Sequence, residues 1–116
     1  MSRYILLCEV DETKYDLLAE MRPKHYEFLL ANRDTIVFGG PAREAPDSPP
    51  AMMVIAVETV DRAAAEAFIA SEPYNANGAF TSVRVRPWSQ VLPEPTPGSL
   101  QATYNTLVGS ETRSPG

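Results

Sequence analysis

The sequence predicts an α+β domain of ferredoxin-like plan, β-α-β-β-α-β, with both helices on one face of a four-stranded antiparallel sheet. Three observations carry that expectation. Four short apolar runs are each bounded by charged or turn residues. Helically spaced apolar residues lie between the first and second runs and again between the third and fourth. The chain has 116 residues, 44% apolar and 22% charged, which suits one globular domain and is too short for two.

Each element has its own signal. Arg3–Val10 is apolar throughout and stops at Asp11, as a strand buried on both faces does. Thr13 and Asp16 have the spacing of a capping box, and Leu17, Leu18 and Met21 follow as a helical stripe. Pro23 interrupts that stripe before His25, Tyr26, Leu29 and Leu30 resume it. Proline disfavours helical conformation in the residue before it, so two helical pieces meeting at a kink are expected, with Pro23 in the first turn of the second. Thr35–Gly40 is a second strand, ended by Gly39, Gly40 and Pro41, and the four prolines between 41 and 50 mark a loop. Ala51–Glu58 is a third strand without polar alternation. Asp61 caps a helix over Arg62–Ser71 whose Val60, Ala64, Ala67 and Phe68 share one face, and Pro73 stops it. In the last strand, from Phe80 to Trp88, Val83 and Val85 face one way, and Ser82, Arg84, Arg86 and Trp88 the other. Pro87 makes it an edge strand or ends it.

Residues 1–91 therefore form the domain, and 92–116 a proline-rich arm with a tail. Leu92–Gly98, with three alternating prolines, reads as an extended polyproline-like segment. The weakly apolar residues after it read either as a short docked helix or as a mobile tail, polar at its end.

The first and third strands are apolar on both sides, yet this plan covers only one face with helices. Soluble monomers rarely expose such a patch, and each side chain buried contributes roughly 1.5–3 kcal/mol. A homodimer packed through the sheet face is expected. The alternative is a monomer whose own C-terminal tail covers that face.

Several functions are disfavoured. A formal net charge of −5 leaves no cationic excess to neutralise nucleic-acid phosphates. Cys8 is the single cysteine, so no intramolecular disulfide can form, and its apolar strand suits a buried thiol better than an activated one. One Cys and one His do not supply a metal site. No apolar run reaches membrane-spanning length, and Tyr4–Leu7 is too short for a secretory leader, so a cytoplasmic protein without membrane contact is expected.

His25 is the only histidine and shares helical spacing with Met21 and Leu29, so it points inward with them. An unperturbed imidazole titrates near ~6.5 and can give and take protons. The alternative is a core histidine satisfied by backbone or a carboxylate. Glu72, held extended by Pro73, is its candidate acidic partner; otherwise it is a solvated helix-end glutamate. Arg84 and Arg86 share a strand face and are candidate binders of a carboxylate or phenolate, or else a solvated rim. Tyr74 offers a phenol beside Glu72, and Gly39-Gly40-Pro41 permits close backbone approach of a ligand or partner. No phosphate-binding loop, dinucleotide fingerprint or nucleophile elbow is present.

Four stretches, in order, resemble motifs of the YCII-related family of dimeric α+β-barrel proteins. Arg22-Pro23-Lys24-His25, followed by Leu29, resembles its Arg-Pro-x-His…Leu; Gly40-Pro41 resembles its Gly-Pro after the second strand. Ser71-Glu72-Pro73-Tyr74 with Gly78 resembles its Asp-Pro-Tyr…Gly, and Val83-x-Val85-x-Pro87-Trp88 resembles its Val-x-Val-x-Pro-Phe. The resemblance implies a dimeric barrel with a His–Asp pair in a cleft. His25 matches the family histidine, and Glu72 the aspartate, one methylene longer. It also implies cofactor-free chemistry on small cyclic or aromatic hydroxylated compounds, such as dehydrochlorination. Lactone isomerisation occurs in the wider superfamily, and heme or flavin use has no support here beyond His25. The expected function is a lyase or isomerase using His25 and Glu72 as an acid–base pair, with Arg84, Arg86, Tyr74, Gly40 and Pro41 binding a small-molecule substrate. The alternatives are a non-catalytic small-molecule binder and an accessory protein docking through its arm.

Overall fold

Strand β1 (Ser2–Val10) lies inside the sheet because both of its faces are apolar, and Leu6 and Cys8 are completely buried. It is flanked by β3 (Pro50–Thr59) and β4 (Phe80–Pro87), with β2 (Ile36–Arg43) outside β3, all antiparallel. The spatial order β2-β3-β1-β4 is the ferredoxin-like arrangement. In a computed structural model, the molecule is described over residues 1–113; residues 114–116, at the polar end of the tail, lie outside the described residues.

Register assigns the two faces. Leu6 stands opposite both Ile55 and Val85, forming a layer under the helices. Leu7 stands opposite Val54 and Arg84, and Ile5 opposite Ala56 and Arg86, on the other face. Helices α1 (Tyr15–Ala31) and α2 (Arg62–Ser71) and the short α3 (Pro73–Ala76) contribute Leu18, Ala65, Phe68, Ile69 and Tyr74 to the core.

Several expectations are corrected. Helix α1 is continuous through Pro23, because burying Leu18 and His25 along one side outweighs the single hydrogen bond the proline removes. No side chain caps α1 itself; instead Asp11, not Thr13, caps a 3-10 turn (Glu12–Lys14) just before it, its carboxylate accepting from the Thr13 N–H at 2.9 Å and hydroxyl at 2.7 Å. Those bonds hold the Asp11 carboxyl below its usual value. Strand β2 does not end at Gly39-Gly40-Pro41 but pairs with β3 as far as Arg43, an edge strand where proline is tolerated. Asp61 does cap α2, accepting from the Ala64 N–H at 2.8 Å. Its buried face is Ala65, Phe68 and Ile69, however, and Val60 is 72% exposed. Pro73 opens α3 instead of merely stopping α2. Residues 92–98 bend rather than extend, and the Glu94 carboxylate accepts from the N–H groups of Gly98 and Leu100, at the start of α4 (Ser99–Arg113). That helix leaves Leu100, Tyr104 and Leu107 exposed, so the tail does not cover the open sheet face. Among the described residues no helix is long and apolar enough to cross a membrane.

Cys8 is sealed in the core. Burial, with a smaller contribution from the charge of Glu72, pushes its thiol from 9.0 up to about 12. The folded state thus keeps a proton that the unfolded chain releases, so stability should be intact below about pH 9 and fall between about 9 and 12, by up to ~1.4 kcal/mol per pH unit. In native protein at pH 8 the thiol should resist iodoacetamide and react only after denaturation; rapid native alkylation would contradict the burial.

Candidate active site

A cleft of about 750 Å³ opens between α1 and the β2–β3 side of the sheet. Its existence follows from side-chain size. Register places Gly39 opposite Ile55 and Pro41 opposite Met53, on the helix-bearing face, where β2 offers little bulk. A Cβ at Gly39 would stand 3.1 Å from the Val54 carbonyl oxygen, so a larger residue would push the strands apart by a few tenths of an ångström and glycine is favoured. The walls include Leu18, Leu29, Ile36, Met53 and Ile55, together with a cluster of His25, Tyr26 and Tyr74.

His25, on α1, is 6% exposed. Its Nδ1 lies 2.5 Å from Oε1 of Glu72, which is completely buried. The imidazole stacks on Tyr74, ring centroids 4.1 Å apart and planes 14° from parallel, and meets Tyr26 edge-on at 5.6 Å. Glu72 links α2 to α3 in an extended conformation, and its Oε2 accepts from the Asn75 N–H at 3.1 Å. Asn75 in turn donates to the Ile69 carbonyl at 2.9 Å, tying the junction to the end of α2. The longer side chain of glutamate therefore closes two contacts at once: one on the imidazole and one capping α3.

With Nδ1–H donated to the carboxylate, the other ring nitrogen, Nε2, is the acceptor in the neutral tautomer. It has no hydrogen-bond partner among the described residues, and it is not sealed from the cleft. Such a ring can take a proton from a molecule in the cleft, while the carboxylate stabilises the resulting imidazolium. Glu72 stands behind the ring, outside the cleft lining, and so acts on a ligand only through His25. Burial raises the Tyr74 phenol above its usual value, with Arg22 partly opposing the shift, so Tyr74 keeps its proton near neutrality.

The structure thus brings His25, Glu72, Tyr74, Gly40 and Pro41 together. Arg84 and Arg86 are elsewhere: both are exposed on the edge strand β4 and outside the cleft lining. Arg84 pairs with Glu9 at 3.5 Å, and Arg86 donates to the Val85 carbonyl. In their place the cleft is lined by Arg22, Arg33 and Arg43, which the sequence reading did not single out. The hints in the sequence concern Arg22 alone: it opens the Arg-Pro-x-His stretch and lies three residues before His25, nearly one helical turn. Among the described residues no group of three or more His, Cys, Asp or Glu side chains is placed to hold a metal ion.

No curated protein matches the chain. Among solved structures, it is similar to 5-chloro-2-hydroxyhydroquinone dehydrochlorinase, TftG, from Burkholderia phenoliruptrix, in complex with 2,5-dihydroxybenzoquinone. The TM-score is 0.70 and the identity 15%, over 76% of this chain and 94% of that one, a likeness of fold. The sequence profile of the YCII-related domain matches residues 2–89, from β1 to just past β4. The chain therefore belongs to the YCII-related family.

Proposed function

We propose that this protein is a cofactor-independent lyase or isomerase acting on a small cyclic or aromatic hydroxylated compound. The observation that carries the reading is the His25–Glu72 contact of 2.5 Å, with the opposite ring nitrogen unpartnered toward the cleft. Nε2 takes a proton from a carbon or hydroxyl of the substrate. In an elimination, the electron pair freed from that bond forms a double bond and expels a leaving group. In an isomerisation, His25 returns the proton to a different atom. Glu72 fixes the tautomer and balances the charge of the imidazolium. The ligand in the name of the TftG structure, a dihydroxylated quinone, belongs to this substrate class.

The test is turnover of chlorinated and hydroxylated quinols by the wild-type protein and by His25→Gln, read as chloride release and absorbance change. Turnover confined to wild type supports the reading. Undiminished turnover in a folded variant removes the histidine from the mechanism, and ligand-induced thermal stabilisation without any turnover favours a non-catalytic binder.

The protein is further proposed to be a homodimer joined through the open sheet face. Ile5, Leu7, Val54 and Met52 lie there, and the 39%-exposed Phe38 meets Trp88 at a ring distance of 5.9 Å. Sedimentation velocity should give twice the chain mass. A monomer at micromolar concentration would contradict this.

A further inference from the structure

We infer that the substrate carries an ionised carboxylate, held by the arginines that line the cleft, Arg22, Arg33 and Arg43. The inference rests on the reading of this cleft as a substrate site and adds the charge of the substrate to it.

The first observation is the distribution of charge. The chain has 15 acidic and 10 basic residues, yet the cleft lining contains three arginines and no Asp, Glu or Lys. A random sample of this surface would be acidic. The cleft is therefore a local inversion, and a cleft walled by low-dielectric groups concentrates the potential of the charges lining it.

The second observation separates these arginines from Arg3, Arg62 and Arg84, though not from Arg86, whose partner is a backbone carbonyl. Arg3, Arg62 and Arg84, all outside the cleft, are paired with Glu58, Glu66 and Glu9. Among the described residues, no carboxylate lies within ion-pairing distance of Arg22, Arg33 or Arg43. Arg22 instead stands over the Tyr26 ring, 5.7 Å from its centroid, a contact that leaves the guanidinium N–H groups able to donate. The three come from the middle of α1, the turn after it and the end of β2. Their presence in one cleft is a property of the fold, not of one charged helix face.

The third observation concerns the form of the anion. A phosphate is ordinarily cradled by backbone N–H groups at a helix start or in a glycine nest. The glycines here, Gly39 and Gly40, are engaged in the β2–β3 ladder, and neither has a positive φ. The donors available are planar guanidinium forks, which match carboxylate and phosphate alike, so the preference for a carboxylate rests on the lack of a backbone cradle. Arg22 stands over Tyr26, whose ring meets His25 edge-on, so a carboxylate held there leaves an attached ring among the apolar walls beside the imidazole.

Calorimetric titration with 2,5-dihydroxybenzoate and with the neutral 2,5-dihydroxybenzamide, at low and high salt, tests the inference. Wild-type protein should bind the acid about tenfold tighter than the amide at low salt, with the gap shrinking as salt screens the exposed guanidinium groups. The Arg33→Gln/Arg43→Gln double variant should lose the preference and keep its affinity for the amide. Arg33→Lys/Arg43→Lys should retain part of it, and melting temperatures should be unchanged because none of these side chains is buried. Equal binding of acid and amide by wild type, no binding of either, or a preference that survives the double Gln variant would overturn it. The lyase reading fails separately: a protein that prefers the acid yet turns over nothing loses the catalytic proposal and keeps this one. Turnover of neutral quinols without any preference for the acid has the opposite meaning.

Discussion

Replacing Glu72 by alanine is expected to destabilise the protein by about 3–5 kcal/mol, the range for removing one member of a buried charged pair. Glu72 is completely buried and serves two elements. Its Oε1 holds the His25 ring, and its Oε2 accepts from the Asn75 N–H that opens α3. Alanine leaves Nδ1 of His25, itself only 6% exposed, without its acceptor, removes a helix cap, and empties the volume of a large side chain. Domains of this size are held by roughly 5–15 kcal/mol, so the loss is a large fraction of the whole. Urea denaturation should show a lower midpoint at unchanged slope. Glu72→Gln keeps the volume and one acceptor and should cost less. A shift below about 1 kcal/mol for the alanine variant would mean that the pair is not integral to the fold.

The second large effect is on catalysis. His25→Gln should lower kcat by about 10²–10⁴-fold, the usual contribution of one positioned acid–base group. Glutamine is the informative substitution because its amide N–H can still donate to Glu72, while its carbonyl cannot accept and return a proton near neutrality. Melting temperature and KM should therefore move little compared with kcat. A variant that loses affinity and stability together would point to a structural histidine. Glu72→Gln should also reduce kcat, through a misplaced tautomer and an unbalanced imidazolium, while the protein stays folded.

Much of this was legible in the sequence because it depends on local patterning. The double-sided apolar runs placed β1 and β3 inside the sheet, Asp61 marked the start of α2, and the stripe through Met21, His25 and Leu29 pointed the histidine inward. Glu72, at a helix exit before Pro73, was open to reading as its acidic partner or as a solvated glutamate; no spacing rule joins residues 47 apart, and the family resemblance favoured the pair. Other features were hidden for physical reasons. Proline is a helix breaker locally, but Pro23 is exposed on a helix whose other side buries Leu18 and His25, and packing decides. Gly-Gly-Pro reads as a strand end, but at a sheet edge β3 supplies the pairing as far as Arg43. Alternation in the last strand separated Arg84 and Arg86 from Val83 and Val85 but could not say which side the helices cover. Arg22, Arg33 and Arg43 lie on separate elements, so no periodicity joins them; only the folded chain does.

The proline that failed to break α1 leaves a mark on the cleft. Pro23 has no N–H to donate to the carbonyl of Ala19, one turn earlier, and Ala19 belongs to the cleft lining. The peptide oxygen there lacks its usual helical donor, and its lone pairs are fixed by the backbone rather than by a rotatable side chain. That oxygen is left to solvent or to a neighbouring N–H group, and exchanging Pro23 for alanine would return its helical donor.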